Sequence, residues 1–286
     1  MTETPGDLKS GIITYYLESE RAYFNWGRDE QRFGIYAVHM GLEESPDHSD
    51  HYQSVKRMTA KVAATVVGGN PNQTILDAGC GTGAVSFEIA GRSPNLQIFG
   101  MNISPNQLDT AQRYKQLAGV GNVHFSQQDY LSPAFAPESF DCVVFCESFT
   151  HSNDKKKLLE TVRGLSKPLG RLVIFDAFMN KPSLDTGDES LLNDLNQGWY
   201  IPSVISLADL KDMAYEMGYA DLTVEDLSKR VLNSARLIGD NSEQRIAQGS
   251  TSTPVILKSR LAGIATKYLL EKETVGYFAV TAKLAA

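Results

Sequence analysis

Cysteine is scarce in this chain: Cys80, Cys142 and Cys146 are the only three among 286 residues. None belongs to a Cys-x-x-Cys pair or a His/Cys cluster. That excludes a disulfide framework and a structural zinc site, and no resident metal is expected. The three read as buried thiols. Long apolar runs are missing too, since no stretch approaches the roughly 18 to 20 residues that span a bilayer. Residues Met1 to Asp7 carry neither the basic nor the apolar part of a secretory leader, so a cytoplasmic location is expected. Positive charge is in deficit, with 27 Lys and Arg against 34 Asp and Glu and a net charge of −7. The cations are scattered rather than gathered into a stripe. A polyanionic duplex would gain little from counterion release, and nucleic acid is not an expected partner.

What the chain does have is core material. Hydrophobic residues make up 42% of it, enough for one large domain with an elaboration. Three segments separate by pattern. Residues 1–67 read as a helical, aromatic cap or lid carrying Tyr15, Tyr16, Tyr23, Phe24, Trp26, Phe33 and Tyr36. A polar loop follows through Ser45, Pro46, Asp47 and His48, and then apolar residues at helical spacing over 52–67. Residues 68–178 alternate short β-branched runs with helical stretches, the signature of βαβ units feeding a parallel sheet. Strands are expected at Thr74–Ala78, 97–101, Val123–Gln127, 142–146 and 171–176. Residues 179–286 open on a Pro/Gly/Ser/Asp-rich connection, continue through helical stretches at 207–217 and 254–270, and end in an alternating run at 274–284 that reads as a closing strand.

The strongest signal is Ile75, Leu76, Asp77, Ala78, Gly79, Cys80, Gly81, Thr82 and Gly83, an apolar strand ending in a glycine turn that opens a helix at Ala84. Such a turn lets backbone lie against a ligand with no Cβ in the way, beside a helix N-terminus able to donate hydrogen bonds. Gly79, Gly81 and Ala84 also satisfy the dinucleotide spacing, so the glycines alone do not separate a nicotinamide enzyme from a methyltransferase. Asp77 does. A carboxylate two residues before the first glycine repels a pyrophosphate and attracts the cationic amino-acid end of a sulfonium cofactor.

Ligands of open α/β sheets gather at the carboxyl ends of the strands. At the second strand end, Asn102 stands where an acid usually chelates the ribose, with Gln107 as a second candidate contact. At the third, Asp129 and Tyr130 suit an adenine amino group and ring face. After the fourth come Cys146, Glu147, Ser148, Phe149, Thr150 and His151. A carboxylate and an imidazole at that edge could take a proton from an acceptor, and the carboxylate could also stabilise developing positive charge. Asp154 or Asn153 caps the next helix, and Lys155 to Lys157 reads as its solvated first turn.

With these pieces in place the chain resembles the class I S-adenosylmethionine methyltransferases over residues 72–178. More narrowly, it is similar to the branch of cyclopropane fatty acid synthases and sterol, tocopherol and prenyl diphosphate C-methyltransferases. That narrower likeness rests on residues 100–107, on Glu147 to His151 with Asp154, on Tyr36 and His39 before Gly41, and on residues 198–202 as the lead-in to a helical insertion. It implies a doubly wound, mostly parallel seven-stranded α/β sheet with a helical N-terminal cap and a helical C-terminal insertion. It also implies that Asp77, Gly79 and Gly81 bind the methionine end, Asn102 and Gln107 the ribose, and Asp129 with Tyr130 the adenine. Cys80 and Cys146 count with the cofactor contacts. Glu147 and His151 face the acceptor, with Tyr23, Tyr36 and His39 as further catalytic candidates. Two departures stand out: Leu169 where a second glycine usually precedes the fifth strand, and Asn102 in place of the ribose acid.

The expected reaction is methyl transfer from S-adenosyl-L-methionine, leaving S-adenosyl-L-homocysteine, to a small lipophilic acceptor. Carbon methylation of an isoprenoid is the leading reading, with Tyr and Trp faces steadying a carbocation. Oxygen or nitrogen methylation of a specialised metabolite, with His151 as base, is the alternative. A non-methylating, cyclase-like relative and a nicotinamide oxidoreductase are the rivals. Mg²⁺ would be needed only for a diphosphate acceptor, for which Arg21, Arg28, Arg32 and Lys56 are the available cations. A homo-oligomer is compatible with these residues but not dictated by them.

Overall fold

A computed structural model describes residues 5–44, 50–250 and 253–285, with side chains from Leu8 onward. The expected polar loop at Ser45 to His48 lies outside the described residues. In chain order the elements are α1 (Pro5–Gly27), α2 (His51–Val67), β1 (Thr74–Ala78), α3 (Ala84–Ala90), β2 (Gln97–Asn102), α4 (Pro105–Ala118), β3 (Val123–Gln127) and β4 (Phe140–Cys146). There follow α5 (Lys155–Leu165), β5 (Ser166–Met179), α6 (Thr186–Trp199), α7 (Leu207–Glu216), β6 (Tyr219–Asp226), α8 (Ser228–Ala247), α9 (Pro254–Glu271) and β7 (Val275–Leu284).

The strands form one seven-stranded sheet in the order β3-β2-β1-β4-β5-β7-β6. All pairs from β3 through β5 are parallel, and β7 runs antiparallel to both β5 and β6. This is the doubly wound sheet implied by the resemblance. Ile75, Leu76, Val143 and Val144 are wholly buried, because helices cover both faces of a parallel sheet and every side chain of a central strand meets a core. The chain leaves β1 toward β2 and β3, then crosses back to lay β4 on the other side of β1. That reversal opens a crevice at the carboxyl ends of β1 and β4, which is where the glycine turn sits.

One apolar core joins all three sequence segments. Ile35, Met58 and Val62 from the first pack with Ile75, Ile98 and Val144 from the second and with Val231 and Tyr277 from the third. The opposite face of the sheet is closed by Leu158, Leu159 and Val162 of α5 and Leu210 of α7.

The third segment departs most from expectation. The stretch read as a Pro/Gly/Ser/Asp-rich connection folds as α6 from Thr186, so residues 198–202 close a helix rather than lead into one. Its polar sequence is held by Asp185, which accepts from the Asp188 amide, and by tertiary contacts. Buried Asp188 takes bonds from Lys181, Lys272 and Thr274. A Cβ on Gly198 would come within 2.2 Å of the Lys258 carbonyl, which explains a glycine where α6 crosses α9. Helix α8 was not anticipated, and β6, the seventh strand that the resemblance implies, was not located along the residue order. β6 is an edge strand with most of its residues exposed, Asp221, Glu225 and Asp226 among them, so it lacks the buried apolar run that marks an inner strand.

Leu169 takes the backbone conformation of the glycine it replaces, with φ of +63°, and its side chain is 47% exposed. A left-handed leucine costs roughly 1 to 2 kcal/mol. Leu169→Gly is therefore expected to stabilise the fold by about 1 kcal/mol in urea unfolding. A loss of stability would mean that the leucine's packing outweighs its strain.

Candidate active site

The glycine turn after β1 is built on three left-handed residues, Gly79, Gly81 and Gly83, with φ of +84°, +56° and +88°. A Cβ at Gly79 would lie 2.5 Å from the Ser148 side chain, so that glycine is required by close approach as well as by conformation. Thr82 ties the turn to the cap by donating to the Tyr36 carbonyl at 2.7 Å and accepting from the Tyr36 amide at 3.1 Å. Past the turn opens a cavity of about 970 Å³, roofed by α1 and flanked by α8 and α9. Every expected site residue except Asp129 lines it.

Asp77 is 2% exposed and accepts a 2.6 Å bond from Ser86. Burial pushes its carboxyl up to about 6, the two bonds from Ser86 holding it lower than burial alone would. Asn102 and Gln107 are brought together, the Asn102 amide donating to Gln107 Oε1 at 2.8 Å. That leaves Gln107 Nε2 buried without a partner, and the Tyr36 hydroxyl is buried and unpartnered as well. The Tyr36 hydroxyl faces the Gln107 side chain closely enough to be influenced by it, and as one poorly bonded polar pair on the cavity wall they are ready for the polar edges of a ligand. With the buried Asp77 carboxylate, they fit the nucleoside and amino-acid parts of S-adenosylmethionine.

Asp129 is placed differently from the expectation. Its carboxylate accepts from the Leu131 amide and forms an ion pair with Lys9 of α1, while Tyr130 turns into the cavity. The aromatic ring is therefore the better placed of the two to meet an adenine. Cys80 and Cys146 line the cavity with thiols pushed well above their usual range by burial. They are protonated and serve as apolar surface.

Glu147, just beyond β4, has φ of +51°. Its Oε1 accepts from the Met40 amide at 2.7 Å and from the Tyr277 hydroxyl at 2.8 Å. Burial pushes the carboxyl up to about 8, so it is mostly neutral at pH 7. A raised carboxyl favours folding below its unfolded value near 4.5, and that contribution is lost as pH rises through about 8. Glu147→Gln should therefore match the wild type at pH 5 and exceed it at pH 8 by about 2 kcal/mol, a figure discounted because the side chain faces the cavity. Urea unfolding at the two pH values checks this, and an equal offset at both would assign Glu147 a different protonation state.

His151 is held by its Nδ1–H, which donates to the Tyr200 carbonyl at 3.1 Å. Its Nε2 lies 3.3 Å from the Tyr16 hydroxyl. Burial lowers the imidazole to about 4, so it is neutral and its Nε2 lone pair, on the cavity side, accepts from the Tyr16 hydroxyl. Around it Tyr15, Tyr16 and Tyr23 pack ring to ring, with centroids 5.0 to 6.0 Å apart. Tyr23 shares a short hydroxyl contact with Tyr15.

His39 is also neutral, lowered by burial to about 4. Both of its nitrogens are occupied, at 2.9 Å each, by the Met40 carbonyl and the Thr59 hydroxyl. It holds Met40, whose amide reaches Glu147, and has no nitrogen free for an acceptor. Lys155 corrects the expectation of a solvated turn: it is 6% exposed and donates to the carbonyls of Thr150, Ser152 and Ser203.

Sequence reasoning missed Asp176 and Tyr277. Asp176, 3% exposed, accepts from the amide and hydroxyl of Thr150, and burial raises it to about 6. It lies near the end of β5, so the strand-end rule could have found it. Tyr277 carried no local signal. Of the cations proposed for a diphosphate, Arg21 lines the cavity. Arg28 lies over the Tyr52 ring, and Arg32 pairs with Asp29 and Glu88. Among the described residues no group of three or more His, Cys, Asp or Glu is placed to hold a metal ion, and no helix is long and apolar enough to cross a membrane.

The strand order, the glycine turn and the buried acid beside it define a class I S-adenosylmethionine-dependent methyltransferase. The methyltransferase domain family matches residues 70–218, more than half of the chain, and the chain belongs to that family. Among its relatives is an O-methyltransferase of Pyrenophora dematioidea, 29% identical over 199 residues, which cover 68% of this chain and 72% of the relative. The sterol 24-C-methyltransferase of Neurospora crassa is 27% identical over 222 residues, 75% of this chain and 57% of the relative. Among solved structures, geranyl diphosphate C-methyltransferase from Streptomyces coelicolor superposes with a TM-score of 0.70 at 18% identity, covering 99% of each chain.

Proposed function

We propose that this enzyme methylates a hydroxyl oxygen of a small lipophilic metabolite, with His151 accepting the proton. When bound, S-adenosylmethionine supplies an electrophilic methyl group. Asp77 would hold its amino group, Gln107 and the Tyr36 hydroxyl the polar edges of the nucleoside, and Tyr130 the adenine face. The observation that carries the reading is the state of His151: neutral, fixed through Nδ1, its Nε2 lone pair in the same cavity as the glycine turn and held only by a long 3.3 Å bond from the Tyr16 hydroxyl, which an acceptor hydroxyl would replace. A base with a pKa of about 4 does not deprotonate a phenol, whose pKa is near 10. The O–H becomes strongly acidic only as the oxygen gains its methyl group, so the proton moves to Nε2 late in the transfer. The tyrosine-lined roof excludes water, and positioning within it supplies much of the acceleration, roughly 7 to 11 kcal/mol in favourable cases.

Carbon methylation of an isoprenoid is the second reading, favoured by the tyrosine faces around Tyr16 and by the sterol relative. Its natural base would be Glu147, which burial keeps mostly neutral at pH 7, and that tips the balance toward oxygen. Product analysis with ¹³C-methyl-labelled cofactor decides between them: a methyl ether resonance is expected, and a methyl on carbon would reverse the order.

A further inference from the structure

We propose that the acceptor carries an oxyanion, a carboxylate or a phosphate monoester, seated between Arg245 and Arg260 at one end of the cavity. The inference rests on the methyl-transfer reading for the other end of the same acceptor. Helices α8 and α9 pack antiparallel in a tight register. A Cβ on Gly239 would meet Lys267 at 2.6 Å, and one on Gly263 would meet Ile238 at 2.7 Å and Ser242 at 2.9 Å. Continued by one turn, this register sets Arg245 of α8 against Arg260 of α9.

The other charged rungs of the interface are complementary. Lys267 lies 2.6 Å from Asp240 and 3.4 Å from Glu243, and Arg236 lies 2.6 Å from Glu271. The Arg245–Arg260 rung alone juxtaposes like charges, and among the described residues neither guanidinium has a carboxylate partner. Burial and the neighbouring Arg245 charge both push Arg260 down. Arg260 is steadied by donating to the Ser250 carbonyl. Glu18 also lines the cavity, where it accepts from the Thr253 hydroxyl at 2.6 Å and is not an ion-pair partner of either arginine.

Both arginines line the cavity, and its wall changes character toward them. Along α8 it passes from Leu237 and Ile238, through Asn241 and Ser242, to Arg245. Along α9 it passes from Leu269 and Leu270, through Thr266, to Arg260 and Ser259, with Ile256 beyond them. An apolar body with one oxyanion fits this gradient. Two guanidinium forks can share the anion's oxygens, which removes the repulsion between them.

Calorimetric titration with decanoate, decyl phosphate and decanol, in the presence and absence of saturating S-adenosylhomocysteine, tests the proposal. At least one of the two anions should bind about tenfold or more tightly than decanol, and the tighter anion identifies the class. The double variant R245Q/R260Q should bring the anions down to the level of decanol while leaving S-adenosylhomocysteine affinity unchanged. Equal binding of all three probes, no binding of either anion, or an anion preference that survives in the variant would overturn it. Failure to bind S-adenosylhomocysteine defeats the methyltransferase reading instead, and the titrations without it still report on the arginine pair.

Discussion

Asp77→Asn is expected to weaken S-adenosylhomocysteine binding by about 100-fold or more, because it removes the buried carboxylate that would face the ligand's ammonium group. The fold should survive: asparagine keeps an oxygen for the Ser86 hydroxyl, and burial penalises the carboxylate that it replaces. The pH dependence carries the sharper signature. In the free protein Asp77 is raised to about 6, and an ammonium pairs only with its ionised form. Wild-type affinity should therefore be level above pH 6 and fall about tenfold per unit below it, since a proton must leave before the ligand binds. The asparagine variant should show weak binding with no such break. Calorimetry from pH 5 to 8 measures both, and a variant that binds as tightly as the wild type would place the amino-acid end of the cofactor elsewhere in the cavity.

His151→Gln should lower kcat by about 100- to 10,000-fold, the usual range for loss of a general base, with S-adenosylhomocysteine affinity unchanged. Because the imidazole is lowered to about 4, wild-type kcat at saturation should hold from neutral pH to near 5 and decline only toward 4. The break from Asp77 near 6 belongs to cofactor binding, so it should appear in kcat/KM at subsaturating S-adenosylmethionine and not in kcat. Tyr16→Phe removes the hydroxyl 3.3 Å from Nε2 and tests whether that group orients the base, with a loss of about tenfold or less expected. If Glu147→Gln abolishes turnover while His151→Gln keeps most of its kcat, the carbon-methylation reading takes precedence.

The parts of this protein visible in the residue order are those governed by local rules. Thr74–Ala78 and Val123–Gln127 match the observed strands end to end: the first is an apolar, buried run broken by turn residues, and the second, at the edge of the sheet, alternates Val123 and Phe125 with His124 and Ser126. The turn from Asp77 to Gly83 is legible for the same reason, since only glycine tolerates its three positive φ angles. Helix α6 was hidden because its Asp, Gly and Ser content resembles a linker, and Asp188 acquires its partners from Lys181, Lys272 and Thr274 only after folding. β6 was hidden because an edge strand needs no apolar alternation, and Lys155 because the carbonyls that receive it converge from two separate loops.

The residue order by itself thus determined the doubly wound sheet, the glycine turn with its acid, and most of the side chains that meet at the strand ends, Asp176 and Tyr277 excepted. Only the tertiary structure decided the protonation state of each. Glu147 is mostly neutral because burial outweighs the bonds it accepts from the Met40 amide and from Tyr277, 130 residues away, both of which favour the ionised form. His39 is spent on Met40 and Thr59, while the Nε2 of His151 meets only the Tyr16 hydroxyl on the cavity side, at 3.3 Å. Burial and partner geometry set those states, and both are sums over contacts distant in sequence, which spacing along a chain does not encode.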